Sequence, residues 1–231
     1  MSYFHTLNRT NEQIIEDLVS FNEETKFFEN RDKISSCFFN DNKTATDKMR
    51  IYSGSTRICV VCDDWNFVLK ANIDRCDKIN YNESELFIYD KAVKYGVDEF
   101  FAWCQPSVEF YGLKFIAMEF CDVDEDRLSD EISSDSYQNY CRQHGYDPKD
   151  VNSEEEYFDS ISDKDFSSPE MVMDYVRTKY ECNKKFSAFE DFLEKFGVND
   201  CHSGNWGYRG KNLVVTDYAG FCVDLKKWEE E

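Results

Sequence analysis

The sequence predicts an α+β protein, and three observations support that prediction. Residues 51–73 contain β-branched and aromatic runs separated by turn residues, which is typical of a β-meander. Residues 171–197 place apolar side chains at helical spacing and end at Gly197. With 231 residues, 41% of them hydrophobic, the chain is long enough to bury a core as one large domain or two small lobes.

The charge of the chain narrows the classes of partner. It carries 27 basic and 47 acidic residues, a net charge of −20. Because neutralising phosphates requires a basic patch, we expect no direct binding of nucleic acid and no anionic membrane as partner, although an acidic protein can imitate nucleic acid. No apolar run approaches the length of a membrane span and no leader pattern opens the chain, so we expect a cytoplasmic protein with its ten cysteines mostly reduced.

The first half of the chain divides into two predicted regions. Residues 1–45 form an accessory segment, with an amphipathic helix and a following helical turn over 11–30. Residues 46–121 form a β-rich lobe with the meander described above, one helix over 82–96 that stops at Gly96, and a buried strand over 112–120.

The remaining region, 122–231, is predicted to be mainly helical and begins with an acidic insertion. Residues 122–170 hold 16 acidic and 4 basic residues, so they contribute −12 of the −20. This stretch is too polar to form a core by itself and lacks the residue spacing of a calcium loop. We therefore expect a solvated, partly mobile insertion.

Three short motifs follow one another in an order that matters more than any one of them. "FVLK" ends a strand-like run at Lys70, "DCHSGN" spans the five-residue step from Asp200 to Asn205, and "VVTDYAG" places Asp217 after a β run. This order resembles the protein-kinase-like fold, with the D-x-H-x-x-N loop of aminoglycoside- and choline-kinase-like families and of short bacteriophage kinase-like proteins. The resemblance covers residues 50–220 and implies two lobes, a truncated C-terminal lobe, and catalytic and metal loops within 198–220.

The resemblance implies ATP and Mg²⁺ as cofactors and gives each motif a role. Lys70 is expected to bind the nucleotide's phosphates, and Asp200 to accept the proton of the attacking hydroxyl as the catalytic carboxylate. Asn205 and Asp217 are expected to hold the metal, because magnesium prefers hard oxygen ligands.

The helix over 82–96 offers two candidate partners for Lys70. Glu85 shares a face with the inward apolar positions, whereas Glu83 aligns with polar ones, so we choose Glu85 as the catalytic ion-pair partner. The nucleotide-binding set that the resemblance implies is completed by a hydroxyl-rich turn and one residue after the third strand-like run: Gly54, Ser55, Thr56 and Glu119. A simple β-turn at 54–56 gives the same pattern.

Smaller features of the loops carry structural expectations. We expect His202 to hold the catalytic loop, and Gly204 and Gly207 to let the backbone turn tightly around the site. The third motif departs from D-F-G, since Tyr218 replaces the phenylalanine and one residue is inserted before the glycine. Eleven residues follow Gly220, too few for the elements that seat peptide substrates in full-length kinases.

These expectations favour an ATP- and Mg²⁺-dependent phosphotransferase acting on a hydroxyl, with a protein Ser, Thr or Tyr substrate slightly ahead of a small molecule. An aminoglycoside-type kinase is the alternative enzyme, because an acidic chain suits a cationic substrate. A non-enzymatic alternative is a pseudokinase or an acidic decoy that binds a host protein. Retention of all four chemical residues favours an enzyme.

Overall fold

The structure is a computed structural model that describes residues 5–30, 44–53, 57–73, 80–149, 157 and 165–218. It confirms the α+β class. The chain separates into two compact units, the first ending at Phe120 and the second beginning at Cys121. Across the described residues, no helix combines the length and apolar character needed to cross a bilayer.

The first unit is built on an antiparallel sheet. Its strands, within the described residues, are β1 (Thr44–Ala45), β2 (Met49–Ser53), β3 (Arg57–Cys62), β4 (Phe67–Asn72), β5 (Cys104–Phe110) and β6 (Leu113–Glu119). Their order across the sheet is β1-β2-β3-β4-β6-β5, so β4 and β6 are neighbours although a helix separates them in sequence. The central strand β4 is therefore paired on both sides.

The β-meander expected over 51–73 is confirmed. β3 and β4 pair in register across a turn at Asp63 and Asp64, the residues whose polarity marked the turn. Alternate side chains of β4 are fully buried, at Phe67, Leu69 and Ala71. The second turn of this sheet, between β5 and β6, has positive φ at Gly112 (73°), a conformation that favours glycine.

The amino-terminal helix is part of the core, so the expectation of an accessory segment is wrong for it. Helix α1 (Asn11–Thr25) begins at a Thr10 capping box and contacts β5. Ile14 and Leu18 are completely buried and Phe21 nearly so. The apolar stripe that predicted the helix was also the surface that packs.

Helix α2 (Tyr81–Tyr95) has the boundaries expected from its caps. The Asn80 side chain accepts a hydrogen bond from the Glu83 backbone N–H, and Gly96 ends the helix with φ of 71°. The buried strand expected over 112–120 is β6. The sequence did not predict β5, which begins with the short polar stretch after Trp103.

The second unit is mainly helical. Its elements, within the described residues, are α3 (Glu125–His144), α4 (Pro169–Lys179), α5 (Phe186–Phe196), β7 (Trp206–Arg209) and β8 (Asn212–Val215). The continuous helical run expected over 171–197 is wrong in one respect, because it is two helices. The polar run 181–185 offers no apolar side chain to the core, and Asn183 caps the backbone N–H of Lys185 within the turn.

The acidic insertion is more ordered than the sequence indicated. Residues 125–144 form the 20-residue helix α3, in which Leu128, Ile132 and Cys141 are buried. The expectation of a solvated, partly mobile insertion is wrong for these residues. Three core-facing positions suffice to hold a helix whose other faces are acidic, because an amphipathic helix needs only one apolar stripe.

Candidate functional site

Lys70 lies in the centre of the sheet, on β4. In the register it lies opposite Cys59 on β3 and Ile116 on β6. Because side chains alternate along a strand, Lys70 points away from the face that buries Leu69 and Ala71. The flanking strands fix the backbone of Lys70 on both sides and so fix where its ammonium group can reach.

The first turn of α2 is tied to the sheet by one amide. Asn82 Nδ2 donates to the carbonyl oxygens of Lys70 (3.2 Å) and Lys114 (2.9 Å), on two adjacent strands. This contact sets the rotation of α2, so that Glu85 is completely buried and Glu83 is exposed. The inward side chain is the one expected from the helical pattern.

Glu85 joins two cations. Its Oε1 lies 3.5 Å from Lys70 Nζ, and its Oε2 lies 2.8 Å from an Arg57 guanidinium nitrogen. The side chains of Lys70 and Arg57 are only 13% and 10% exposed. A buried carboxylate requires such compensation, because removing it from water is costly unless cations replace the lost hydration. The expected Lys70–Glu85 ion pair is present, while its catalytic role remains a prediction.

Sequence reasoning missed Arg57. It begins β3 and lies opposite Asn72 in the register, two positions from Lys70, so the two cations share one face of the sheet. Its guanidinium also lies 5.6 Å from the centre of the Tyr81 ring, on the first turn of α2. A register between β3 and β4 would have found it, but single-strand periodicity could not.

The remaining predicted nucleotide-binding residues of the first unit fare differently. Gly54, Ser55 and Thr56 lie outside the described residues. Glu119 ends β6, where its Oε2 accepts the backbone N–H of Trp103 (3.2 Å) and its own N–H donates to the Trp103 carbonyl (2.8 Å). These bonds fix the end of β6, and nucleotide binding by Glu119 stays a prediction.

In the second unit, the loop from Asp200 to Asn205 is held by contacts within itself. Asn205 Nδ2 donates to the Asp200 carbonyl (2.5 Å), and the Asn205 N–H donates to the His202 carbonyl (2.9 Å). The Trp206 indole N–H donates to the Cys201 carbonyl (3.1 Å). These bonds leave the Asp200 carboxylate on the outside of a fixed loop, with its side chain 31% exposed.

His202 has the structural role that the sequence suggested. Its Nδ1 accepts the backbone N–H of Gly204 (3.1 Å), which caps the short turn Ser203–Asn205. Its Nε2 lies 3.8 Å from Asp200 Oδ1, the outer limit of an ion pair with a protonated ring. The imidazole therefore braces the loop on the side where the Asp200 carboxylate lies.

The two glycines of this region are needed for close packing. Neither has a positive φ, so the expectation that they permit a tight turn is wrong. A Cβ on Gly207 would lie 2.7 Å from Cys121 Cβ and 2.8 Å from Thr216 Cγ2. A Cβ on Gly204 would lie 2.6 Å from a carboxylate oxygen of Glu125. Any larger residue at position 207 would push apart the strand that follows the loop.

Asp217 comes to the same end of the β7–β8 hairpin as Asn205. Trp206 pairs with Val215 in the register, and the Thr216 N–H donates to the Asn205 carbonyl (2.8 Å). Asp217 follows Thr216 directly and is half-buried, and Tyr218 after it is completely buried. The hairpin thus brings the two predicted metal ligands together, although twelve positions separate them in sequence.

The donor atoms at this hairpin end suit a magnesium ion. Asn205 uses its amide nitrogen for the Asp200 carbonyl, so its neutral oxygen is the atom left to bind a cation, and Asp217 adds a carboxylate. Magnesium takes such oxygen ligands and usually keeps several waters. Within the described residues, no three His, Cys, Asp or Glu side chains cluster as a metal site. A site of one aspartate and one amide therefore depends on ligands from a nucleotide and from water.

A second polar cluster lies between α3 and α4 and has a structural character. Glu131 accepts hydrogen bonds from Tyr175 (2.7 Å) and Arg127 (3.1 Å), and the Arg127 guanidinium lies 3.8 Å from the centre of the Tyr208 ring. Burial, with the Glu131 contact, raises the pKa of Tyr175, so this phenol stays protonated as a donor. The cluster links the acidic helix to the β7 strand.

Comparisons of the chain with protein-family models, with curated proteins and with solved structures find no match.

Proposed function

We propose that this protein is an ATP- and Mg²⁺-dependent phosphotransferase with a two-lobed, kinase-like fold, acting on a hydroxyl group and most readily on that of a protein Ser, Thr or Tyr. The observation that carries the proposal is the buried ion pair of Lys70 and Glu85 on β4 and α2. A phosphate-binding lysine needs its ammonium group fixed by a carboxylate on a rigid element.

The loop of the second unit supports the same proposal independently. The bond from Asn205 Nδ2 to the Asp200 carbonyl orients an amide oxygen for a metal and fixes the backbone of the candidate base. When bound, magnesium would neutralise charge on the phosphates. The residues of this chain would do the rest: Asn205 and Asp217 would hold the ion, Lys70 would bind phosphate oxygens, and Asp200 would accept the hydroxyl proton.

Metal-dependent nucleotide binding is the first test. The thermal unfolding temperature should rise with millimolar ATP only when Mg²⁺ or Mn²⁺ is present, by an amount set by the ratio of ligand concentration to Kd. Asp217→Asn should abolish most of that shift, because it removes the one carboxylate of the metal site. Asp191→Asn, an exposed aspartate on α5, is the matched control and should keep it.

The reaction itself is tested by incubating the protein with γ-labelled ATP, magnesium and a cell lysate. Labelled protein bands would support a protein substrate, and label in the small-molecule fraction would favour the aminoglycoside-type alternative. Absence of any ATP-dependent shift and of any transfer would overturn the proposal and favour an acidic binding protein. The net charge of −12 over 122–170 is the feature that such a decoy would use.

A further inference from the structure

A cavity of about 530 Å³ lies in the first unit, lined by α2 and the β5–β6 hairpin. Its walls include the buried apolar side chains of Val108, Leu113 and Phe115. The volume is that of a small-molecule site. Among the described residues that line it, none is one that we assign to phosphate or metal binding.

Three polar atoms of the residues lining this cavity are buried and have no hydrogen-bond partner: Asn72 Oδ1, Asn82 Oδ1 and Ser107 Oγ. Asn82 is 6% exposed, and its Nδ2 is committed to two backbone carbonyls, so its orientation is fixed and its oxygen is the atom left over. Buried polar atoms almost always have a partner, and an unsatisfied one costs stability. All three can accept a hydrogen bond.

The charged residues lining the cavity favour the same kind of ligand. Glu83 and Glu109 are exposed, and Lys114 lies opposite Glu109 in the register of the hairpin. Two carboxylates against one ammonium group give this cavity a negative balance, within a chain of net charge −20. A ligand that brings N–H donors and a positive charge therefore complements it, whereas an anion does not.

We propose that this cavity binds a small organic amine, with its apolar body against Val108, Leu113 and Phe115 and its ammonium group donating to the asparagine oxygens and the Ser107 hydroxyl. The site is distinct from the phosphotransfer residues and does not depend on that proposed function. Binding alone is claimed, with no chemical step at the site.

Two probes with the same ring test the charge preference on the full chain. Phenethylamine and 3-phenylpropionate have similar size and opposite charge. In an amide NMR titration, phenethylamine should shift the resonances of residues around the cavity saturably and bind at least about tenfold more tightly than 3-phenylpropionate, because charge-assisted hydrogen bonds are the stronger ones. Equal affinity for the two probes, or no saturable shift with phenethylamine at 10 mM (on the order of the weakest Kd worth calling specific), would overturn the proposal.

One pair of variants tests the polar contact. Ser107→Ala removes an unpartnered hydroxyl, so it should not impair folding, and it should weaken phenethylamine binding by about threefold to tenfold, the effect of one lost hydrogen bond. Ser20→Ala, on the exposed face of α1, should leave the dissociation constant unchanged. If Ser107→Ala binds the probe as tightly as the parent, the hydroxyl does not contact an amine and the assignment of the cavity is wrong.

Discussion

The two units of this protein assemble their candidate residues in opposite ways. In the first unit, Arg57, Lys70 and Glu85 come from two strands and a helix, and they meet in a buried charge cluster. In the second, Asp200 and Asn205 lie five positions apart and are held by hydrogen bonds within one loop. The first arrangement exists only when the sheet and helix are packed, whereas the second is largely local.

That difference predicts what mutations will disturb. A buried ion cluster depends on every member for the folded state, since an uncompensated charge in the interior is expensive. A half-exposed carboxylate on a braced loop contributes little to folding and is available for chemistry. Substitutions in the first unit should therefore act mainly on stability, and those in the loop mainly on activity.

The largest expected effect breaks the comparison if it fails. Asp200→Asn keeps the shape of the loop and removes the base, so it should reduce phosphoryl transfer by about 10²-fold to 10⁴-fold while leaving ATP binding nearly intact. Transfer from γ-labelled ATP and the ATP-dependent thermal shift measure the two properties separately. Asp191→Asn is the control and should transfer as fast as the parent. If Asp200→Asn does so too, the mechanism proposed for the loop is wrong.

The next effect concerns stability in the first unit. Glu85→Gln leaves the buried Lys70 and Arg57 without a counter-charge, and we expect it to lower the free energy of unfolding by about 3 kcal/mol. Urea unfolding at pH 7 measures this. Glu83→Gln, two positions away on the exposed face of α2, should change the stability by less than about 0.5 kcal/mol. Similar values for the two variants would show that the cluster contributes nothing specific.

A smaller effect sharpens the contrast from the side of the loop. Asn205→Ala removes the donor to the Asp200 carbonyl, and one hydrogen bond corresponds to about 1 kcal/mol of stability. For a unit of this size, the thermal unfolding temperature should fall by about 5 °C. The same variant should lose metal-dependent ATP binding, because the amide oxygen is removed as well. A loss of stability with metal dependence retained would contradict the assignment of Asn205.

The smallest effect uses a thiol beside the candidate base. Burial, with the nearby Asp200 charge, raises the pKa of Cys201 from 9.0 to about 12. The unfolded thiol loses its proton at the lower pH, so the free energy of unfolding falls as the pH rises above 9 and continues to fall until about 12. At pH 9.5 the loss from this group is about 0.8 kcal/mol.

Urea unfolding at pH 8 and pH 9.5 isolates that contribution. Cys201→Ala should show a decline smaller than the parent's by the amount given above, and Cys182→Ala, at an exposed thiol, should decline as the parent does. An equal decline in Cys201→Ala and the parent would mean that the thiol next to Asp200 is not buried in solution, and the loop would then be more open than its hydrogen bonds indicate.

Periodicity and caps predicted the elements whose determinants are local. The helical stripe of Ile14 and Leu18, the stop at Gly96 and the turn at Asp63 and Asp64 all act over four residues or fewer, so each could be read directly from the chain. The acidic stretch 125–144 misled because its many charges outweighed three apolar residues, although three at the right spacing are enough to pack a helix.

The chain alone also determined most of the candidate site in outline. Helical phase selected Glu85 over Glu83, because the inward face of an amphipathic helix is a property of its sequence. The five-residue step from Asp200 to Asn205 is short enough for a side chain to reach a backbone carbonyl, so proximity followed from spacing.

Only the tertiary structure placed Arg57 on Glu85 and built the cavity beside α2. Both depend on strand register and on packing between segments far apart in sequence. A shift of one position in the β3–β4 register would turn Arg57 to the other face of the sheet, and no local propensity of either strand specifies that register. The sum of many weak contacts across the core decides it, and those contacts exist only in the folded unit.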